Sequence, residues 1–230
     1  KADILRQRYS ISLKVGGASL IIAKTVNMIA LVVFLCFGFV MILGIEAVSQ
    51  PIKFMAGVGL VALISGTATL FFIQRFKWTS RLAHRVASYQ ERDWIRRTVN
   101  NLNDLDHIFI SFYRHRNNRF KWALSLALIN WLLGVVEIYV VMLFLGHPVD
   151  WAMAWVIESA AQLMRTAVFF IPVAIGVQEG TFVFICSLLT GNPTIGISAA
   201  LVRRAREFLW ICIGLLLAVF LTSNRHRRPP

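Results

Sequence analysis

A chain of 230 residues that is 57% hydrophobic and only 15% charged, with a mean hydropathy of +0.66, lies outside the range of soluble domains of this length. Its formal net charge of +13 excludes an acidic surface, and because the basic residues cluster in short segments between apolar runs, it is not the footprint of nucleic-acid binding. The expected class is all-α, a polytopic helical bundle in a membrane, with membrane lipids, anionic or phosphate-bearing, as partners and no nucleic acid.

In chain order, spanning the hydrocarbon takes about 20 mostly apolar residues in a helix. The first such run covers about 20–44 and follows Lys1, Arg6, Arg8 and Lys14; a link containing Pro51 leads to a second run at about 54–73. From Arg75 to Lys121 the chain is polar and basic, which makes the loop cytoplasmic by the positive-inside rule. Apolar residues at helical spacing within it (Trp78, Leu82, Val86, then Leu102, Leu105, Phe109, Phe112) predict amphipathic helices at the membrane surface.

A third span covers about 122–145 and ends at Gly146-His147-Pro148. Between 151 and 190 the pattern is less regular: an apolar stretch over 151–171 carries Glu158, Gln162 and Arg165, Pro172 and Gly176 interrupt it, and a short run over 177–190 follows. At 1.5 Å per residue that run reaches only about 21 Å, short of a core of roughly 30 Å, so re-entrant or broken helices are predicted near 151–190. The last run, about 195–222, ends in a basic tail that parity and charge both place in the cytoplasm.

The residues that invite a functional reading are charges inside these apolar runs. An arginine at the centre of a membrane helix costs about 2.5–3.5 kcal/mol on insertion scales, and Arg203, Arg204 and Arg206 fall within four residues. Helical spacing puts Arg203, Arg206 and Glu207 on one face, with Arg204 pointing partly elsewhere. One carboxylate does not neutralise three guanidinium groups, so the excess positive charge seeks further anions: Glu158, Glu179 or a lipid phosphate. Glu158, Gln162 and Arg165 form a polar stripe at i, i+4, i+7. Gln178 and Glu179 stand at the start of the short run, where a half-helix N-terminus would offer free amides. Glu137 lies within the third span; Lys24 and Asn27, one turn apart in the first, are open to a simple reading in which Lys24 snorkels to the interface. A cavity lined by Glu158, Arg165, Gln178, Glu179, Arg203, Arg206 and Glu207 is the predicted substrate-binding site; the alternatives are an ion-pair network that only fixes helix packing, a Gly176/Gly180 pair that only permits close helix contact, and Arg203 to Arg206 as the interfacial end of a shorter helix.

The three cysteines, Cys36, Cys186 and Cys212, lie in apolar stretches without CxxC spacing, and the five histidines form no HExxH pattern. No metal site and no cofactor are expected. No GxxxxGK[ST] motif occurs, so energy for any transport would come from gradients or partner proteins.

The segment Phe170-Ile171-Pro172-Val173-Ala174-Ile175-Gly176-Val177-Gln178-Glu179-Gly180 resembles the P-x-x-(G/A)-(I/L)-G-V-x-E signature of the flippase-like transmembrane family, also known through the membrane domain of lysylphosphatidylglycerol synthases. Ala200-Leu201-Val202-Arg203-Arg204-Ala205-Arg206-Glu207 is similar to the R-x-R-E segment of its hopanoid-biosynthesis-associated branch, and Ile11 to Met41 to the family's third helix, with Lys24 as its basic residue and Asn27 where many relatives are acidic. The resemblance covers the whole of 1–230 as a single transmembrane domain. It implies two further helices before residue 1, which fits a chain that starts at Lys1. It also implies lipid handling in a bacterial inner membrane: a flippase-like transport protein moving or presenting a phospholipid, a polyprenyl phosphate or a hopanoid, without a synthase domain and in contact with lipid-biosynthesis proteins. The alternative is a membrane enzyme, using Glu158 or Glu179 as acid/base, or a scaffold of lipid biosynthesis.

Overall fold

The computed structural model describes residues 13–75, 117–168 and 176–223. The surface helices expected within 75–121, Pro172 and the basic tail from Asn224 lie outside these residues. Among the described residues the chain is all-helical: α1 (Leu13–Leu43), α2 (Gln50–Arg75), α3 (Asn117–Phe144), α4 (Trp151–Ala167), α5 (Val177–Thr190) and α6 (Pro193–Ser223). Gly16–Leu43, Gln50–Ile73 and Asn118–Phe144 are long and apolar enough to cross a membrane. Helix α6 is as long as α1, 31 residues, but its charges at 203–207 take it out of that apolar class.

The chain divides into two compact units, Lys1–Val40 with Phe54–Leu133, and Met41–Lys53 with Gly134–Pro230. In the first, Ala18, Ile22 and Val26 recur every four residues along α1 and pack against Phe120, Ala123 and Leu124 of α3. Farther along, Phe34 stacks on Trp131 at 6.1 Å between ring centroids. Helix α2 buries Leu60 and Thr67 within this unit, seven residues apart, half-buries Leu63, Phe71 and Ile73, and leaves Phe54, Met55, Val58, Val61, Ile64, Leu70 and Phe72 exposed, as a lipid-facing helix does.

The second unit carries the charges. At its α1–α2 turn Lys53 Nζ donates to the Leu43 carbonyl at 2.9 Å, satisfying one of the free carbonyls at the end of α1. Asp150 caps α4 by accepting the Met153 amide at 2.7 Å, and Trp151 in the first turn stacks flat on Tyr139 of α3, 4.5 Å centroid to centroid. Helices α5 and α6 form a tight hairpin. Gly191 ends α5 with φ +73°, a left-handed value that favours glycine, its amide donates back to the Ser187 carbonyl, and Pro193 opens α6 at the position where a missing N–H costs nothing. The two backbones touch at Gly196: a Cβ there would run into the Phe182 carbonyl and lie 2.6 Å from Val183 Cα. By contrast, a Cβ on Gly176 or Gly180 would meet nothing within 4 Å, so among the described residues their GxxxG spacing marks no helix contact. Gly176 has another reason, a φ of +85° just ahead of α5.

Gly196→Ala is therefore expected to open the α5–α6 hairpin at a cost of about 1–3 kcal/mol. Gly180→Ala, with open space around it, should be neutral or slightly stabilising. Thermal unfolding of the two variants in the same detergent checks both.

Candidate functional site

The arginines of α6 do not wait for an external anion; they meet glutamates from three other helices. Arg203 Nη2 donates to Glu158 Oε2 of α4 at 2.6 Å and to Glu137 Oε2 of α3 at 3.3 Å, and Glu137 Oε2 also accepts from Arg206 Nη1. Arg204 Nε donates to Glu179 Oε1 of α5 and its Nη1 to Glu207 Oε2 at 2.8 Å, while Glu207 Oε1 accepts from Arg165 Nη1 of α4 at 3.2 Å. The ion pairs form two separate chains of alternating charge, Glu158–Arg203–Glu137–Arg206 and Glu179–Arg204–Glu207–Arg165. Each holds two guanidinium groups and two carboxylates, so each is formally neutral.

Burial falls along the first chain from its inner end outward. Glu158 is 1% exposed and Arg203 2%, whereas the Arg206 side chain is 46% exposed. The inner end exists because α3 has no side chain where Glu158 arrives: a Cβ on Gly134 would stand 2.8 Å from Glu158 Oε1. That same oxygen accepts from Gln162 Nε2 at 2.8 Å, so both carboxylate oxygens of Glu158 are engaged. Arg203 also lies over the Phe182 ring of α5, 5.3 Å from Cζ to centroid, a cation–π contact that strengthens where water is absent.

Glu179 works at a helix start. Its Oε2 accepts the Gly176 amide at 2.8 Å while its Oε1 holds Arg204, which ties the first turn of α5 to α6. One of the amides at this N-terminus, that of Gly176, is thus taken by the chain's own side chain.

All seven residues singled out from the sequence, Glu158, Arg165, Gln178, Glu179, Arg203, Arg206 and Glu207, lie in this one unit, and all but Gln178 belong to the two ion-pair chains. Arg203 and Glu207, one turn apart on the same face of α6, do not pair with each other. Glu207 pairs instead with Arg204, three residues before it, and with Arg165. Arg204, set aside because its Cα faces elsewhere, joins both Glu179 and Glu207, since the long arginine stem reaches across helix faces that Cα directions separate. Glu137 completes the charge balance, and its signal was a carboxylate in an otherwise apolar run. Gly134 gave none in the sequence. Lys24 sits exposed on α1, in the other unit.

The sequence description of the lysylphosphatidylglycerol synthase transmembrane region matches residues 1–215. The chain belongs to that family. As a lysylphosphatidylglycerol synthase transmembrane-region protein it is a membrane protein of a lipid-related family, and the match takes in every helix up to the apolar half of α6. Neither a curated protein nor a solved structure matches the chain.

Cutting the buried pair on one side leaves a charge without its partner, which costs about 3–5 kcal/mol. Glu158→Ala should lose stability on that scale, and Glu158→Ala combined with Arg203→Met should recover much of it. Arg165→Ala, at a half-exposed pair, should change stability by about 1 kcal/mol or less. Thermal unfolding of the unmodified protein, Glu158→Ala, Arg203→Met and the double variant measures the coupling as a double-mutant cycle, with Arg165→Ala read alongside.

Proposed function

We propose that this protein is a lipid translocase or lipid-transport protein of a bacterial inner membrane, in which the polar interior of the second unit shields a lipid headgroup during its passage between leaflets. The observation that carries this reading is a network of eight charged side chains, its inner pair Glu158 and Arg203 only 1–2% exposed, in a chain of a lipid-related membrane family. Four arginines and four glutamates within apolar helices far exceed what helix association needs, since small residues and single polar contacts suffice for that. Intramembrane ionisable residues facing a protein interior mark substrate pathways as a rule. The basic loop over 75–121 and the basic tail support an orientation with both in the cytoplasm.

A non-enzymatic role is supported by the state of the two carboxylates suited to acid/base work. Both oxygens of Glu158 are occupied, by Arg203 and Gln162, and both of Glu179, by Arg204 and the Gly176 amide. An acid/base carboxylate needs one oxygen turned toward the proton it transfers. The substrate class extends to phospholipids, polyprenyl phosphates and hopanoids; a hopanoid is favoured by the R-x-R-E segment, and contact with lipid-biosynthesis proteins would supply it.

Reconstituted in liposomes with a headgroup-labelled lipid, the protein is expected to relocate the label between leaflets without forming a new chemical product. A product without relocation would make it an enzyme. Arg203→Ala with Arg206→Ala should slow relocation at least about tenfold, roughly the effect of 1.4 kcal/mol on a rate. Undiminished transport by that double variant would remove the charged interior from the mechanism.

A further inference from the structure

Away from the charged unit, one polar side chain stands where a membrane helix tolerates it least. The apolar span of α3 runs over Asn118–Phe144, and Asn130 lies within a residue of its midpoint with its side chain exposed. At 1.5 Å per residue it is about 18 Å from the nearer end of that span, while the centre of a hydrocarbon core of roughly 30 Å is about 15 Å from either surface. A short carboxamide at that depth reaches neither headgroups nor water. Ser19, Thr25 and Thr69 of the same unit solve a similar problem by turning their hydroxyl hydrogens back onto carbonyls of their own helices. No hydrogen bond engages the Asn130 carboxamide among the described residues. An amide left unpaired in hydrocarbon is costly, so this one calls for a partner.

The surroundings of Asn130 show which face the partner meets. Phe120, Ala123, Leu124 and Trp131 are the residues of α3 engaged with α1. Trp122, Leu126, Asn130 and Leu133, separated by four, four and three residues, form a different stripe, and all four are exposed. Asn130 thus sits between Leu126 and Leu133 in an otherwise apolar seam within the first unit.

Acyl chains offer neither donor nor acceptor, so the occupant has to carry a polar group to the same depth. A carboxamide combines two donors with an acceptor oxygen and is therefore complementary to itself. A second copy of this chain inserts in the same orientation, and a two-fold axis along the membrane normal brings its Asn130 to the same depth with no further adjustment. Amides paired in this way across membrane helices hold them together, and a single asparagine in an apolar seam fixes register and partner.

We infer that the α3 face formed by Trp122, Leu126, Asn130 and Leu133 docks a second copy of this chain, each Asn130 Nδ2 donating to Oδ1 of the other. The inference is independent of the transport reading.

The whole chain, fluorescently tagged at its carboxyl end, is reconstituted in phosphatidylcholine vesicles over a series of lipid-to-protein ratios, and photobleaching steps are counted to obtain the dimer fraction. Dimers are expected, and Asn130→Leu should raise the protein density needed to form them about tenfold, the loss of a hydrogen-bonded amide pair between membrane helices. Asn130→Gln keeps the amide and should stay within about threefold of the unmodified protein. Because Asn130→Leu replaces an exposed amide by an apolar side chain, its thermal midpoint in detergent should be kept or raised, which separates lost docking from lost folding. In a background of Cys36→Ala, Cys186→Ala and Cys212→Ala, copper phenanthroline should join Asn130→Cys into a disulfide-linked dimer and should spare Leu132→Cys, about 200° around the helix. Single bleaching steps at every ratio, which would leave Asn130 to lipid or to another protein, overturn the inference. So does a dimer that Asn130→Leu leaves intact, one that Asn130→Gln weakens as much as Asn130→Leu, or linkage of Leu132→Cys as ready as that of Asn130→Cys.

Discussion

A single guanidinium nitrogen, Nη2 of Arg203, holds three helices together. Through it α6 reaches Glu137 on α3 and Glu158 on α4, with the aromatic face of Phe182 on α5 beneath. Moving an arginine and a glutamate out of water is costly in itself, and their attraction repays that only when geometry and further hydrogen bonds are good. The surroundings meet the condition on the glutamate side: Gln162 takes the other oxygen, and Gly134 leaves room for the carboxylate against α3. They leave it unmet on the arginine side, where Nε and Nη1 are buried with no hydrogen-bond partner among the described residues. The asymmetry is informative, because a pair serving packing alone would have both ends closed.

Most of the fold could be read from the sequence, since each helix coincides with an apolar run bracketed by turn residues. Helix α5 is the clearest case: Gly176 and Gly191, both at positive φ, stop it at the boundaries the sequence indicates. Starts were read less well. Helix α1 begins at Leu13, ahead of the apolar run at about 20–44, because a basic residue such as Lys14 ends a hydrophobic stretch without ending a helix. Helix α4 stops at Ala167, short of 171.

Charges in apolar helices were equally legible, because each has a cost the sequence cannot hide. Their partners were not. Whether Glu207 turns to Arg203 or Arg204 depends on which neighbour α4 and α5 bring, and Glu179 and Arg165 settle it by approaching from the Arg204 side. The deficit of negative charge inferred for Arg203–Glu207 was a local count; Glu137, 66 residues from Arg203, closes it. Gly134 illustrates the remaining gap. Its role is defined by a Glu158 oxygen arriving from another helix, and no spacing within α3 announces that.

Beyond Glu207 helix α6 changes character. Phe208, Leu209, Trp210, Ile211, Leu215, Leu216, Leu217 and Val219 are all exposed among the described residues, on every side of the helix. A segment with so much apolar surface turned outward faces hydrocarbon and settles where the thickness of the bilayer puts it. Because the helix is continuous through Arg203, the lipid bathing its far half acts as a depth gauge for the charged half: a thicker or thinner membrane pulls on the clamp from below. The composition of the bilayer thereby becomes a setting of the site itself, felt through fractions of a kcal/mol per ångström of mismatch.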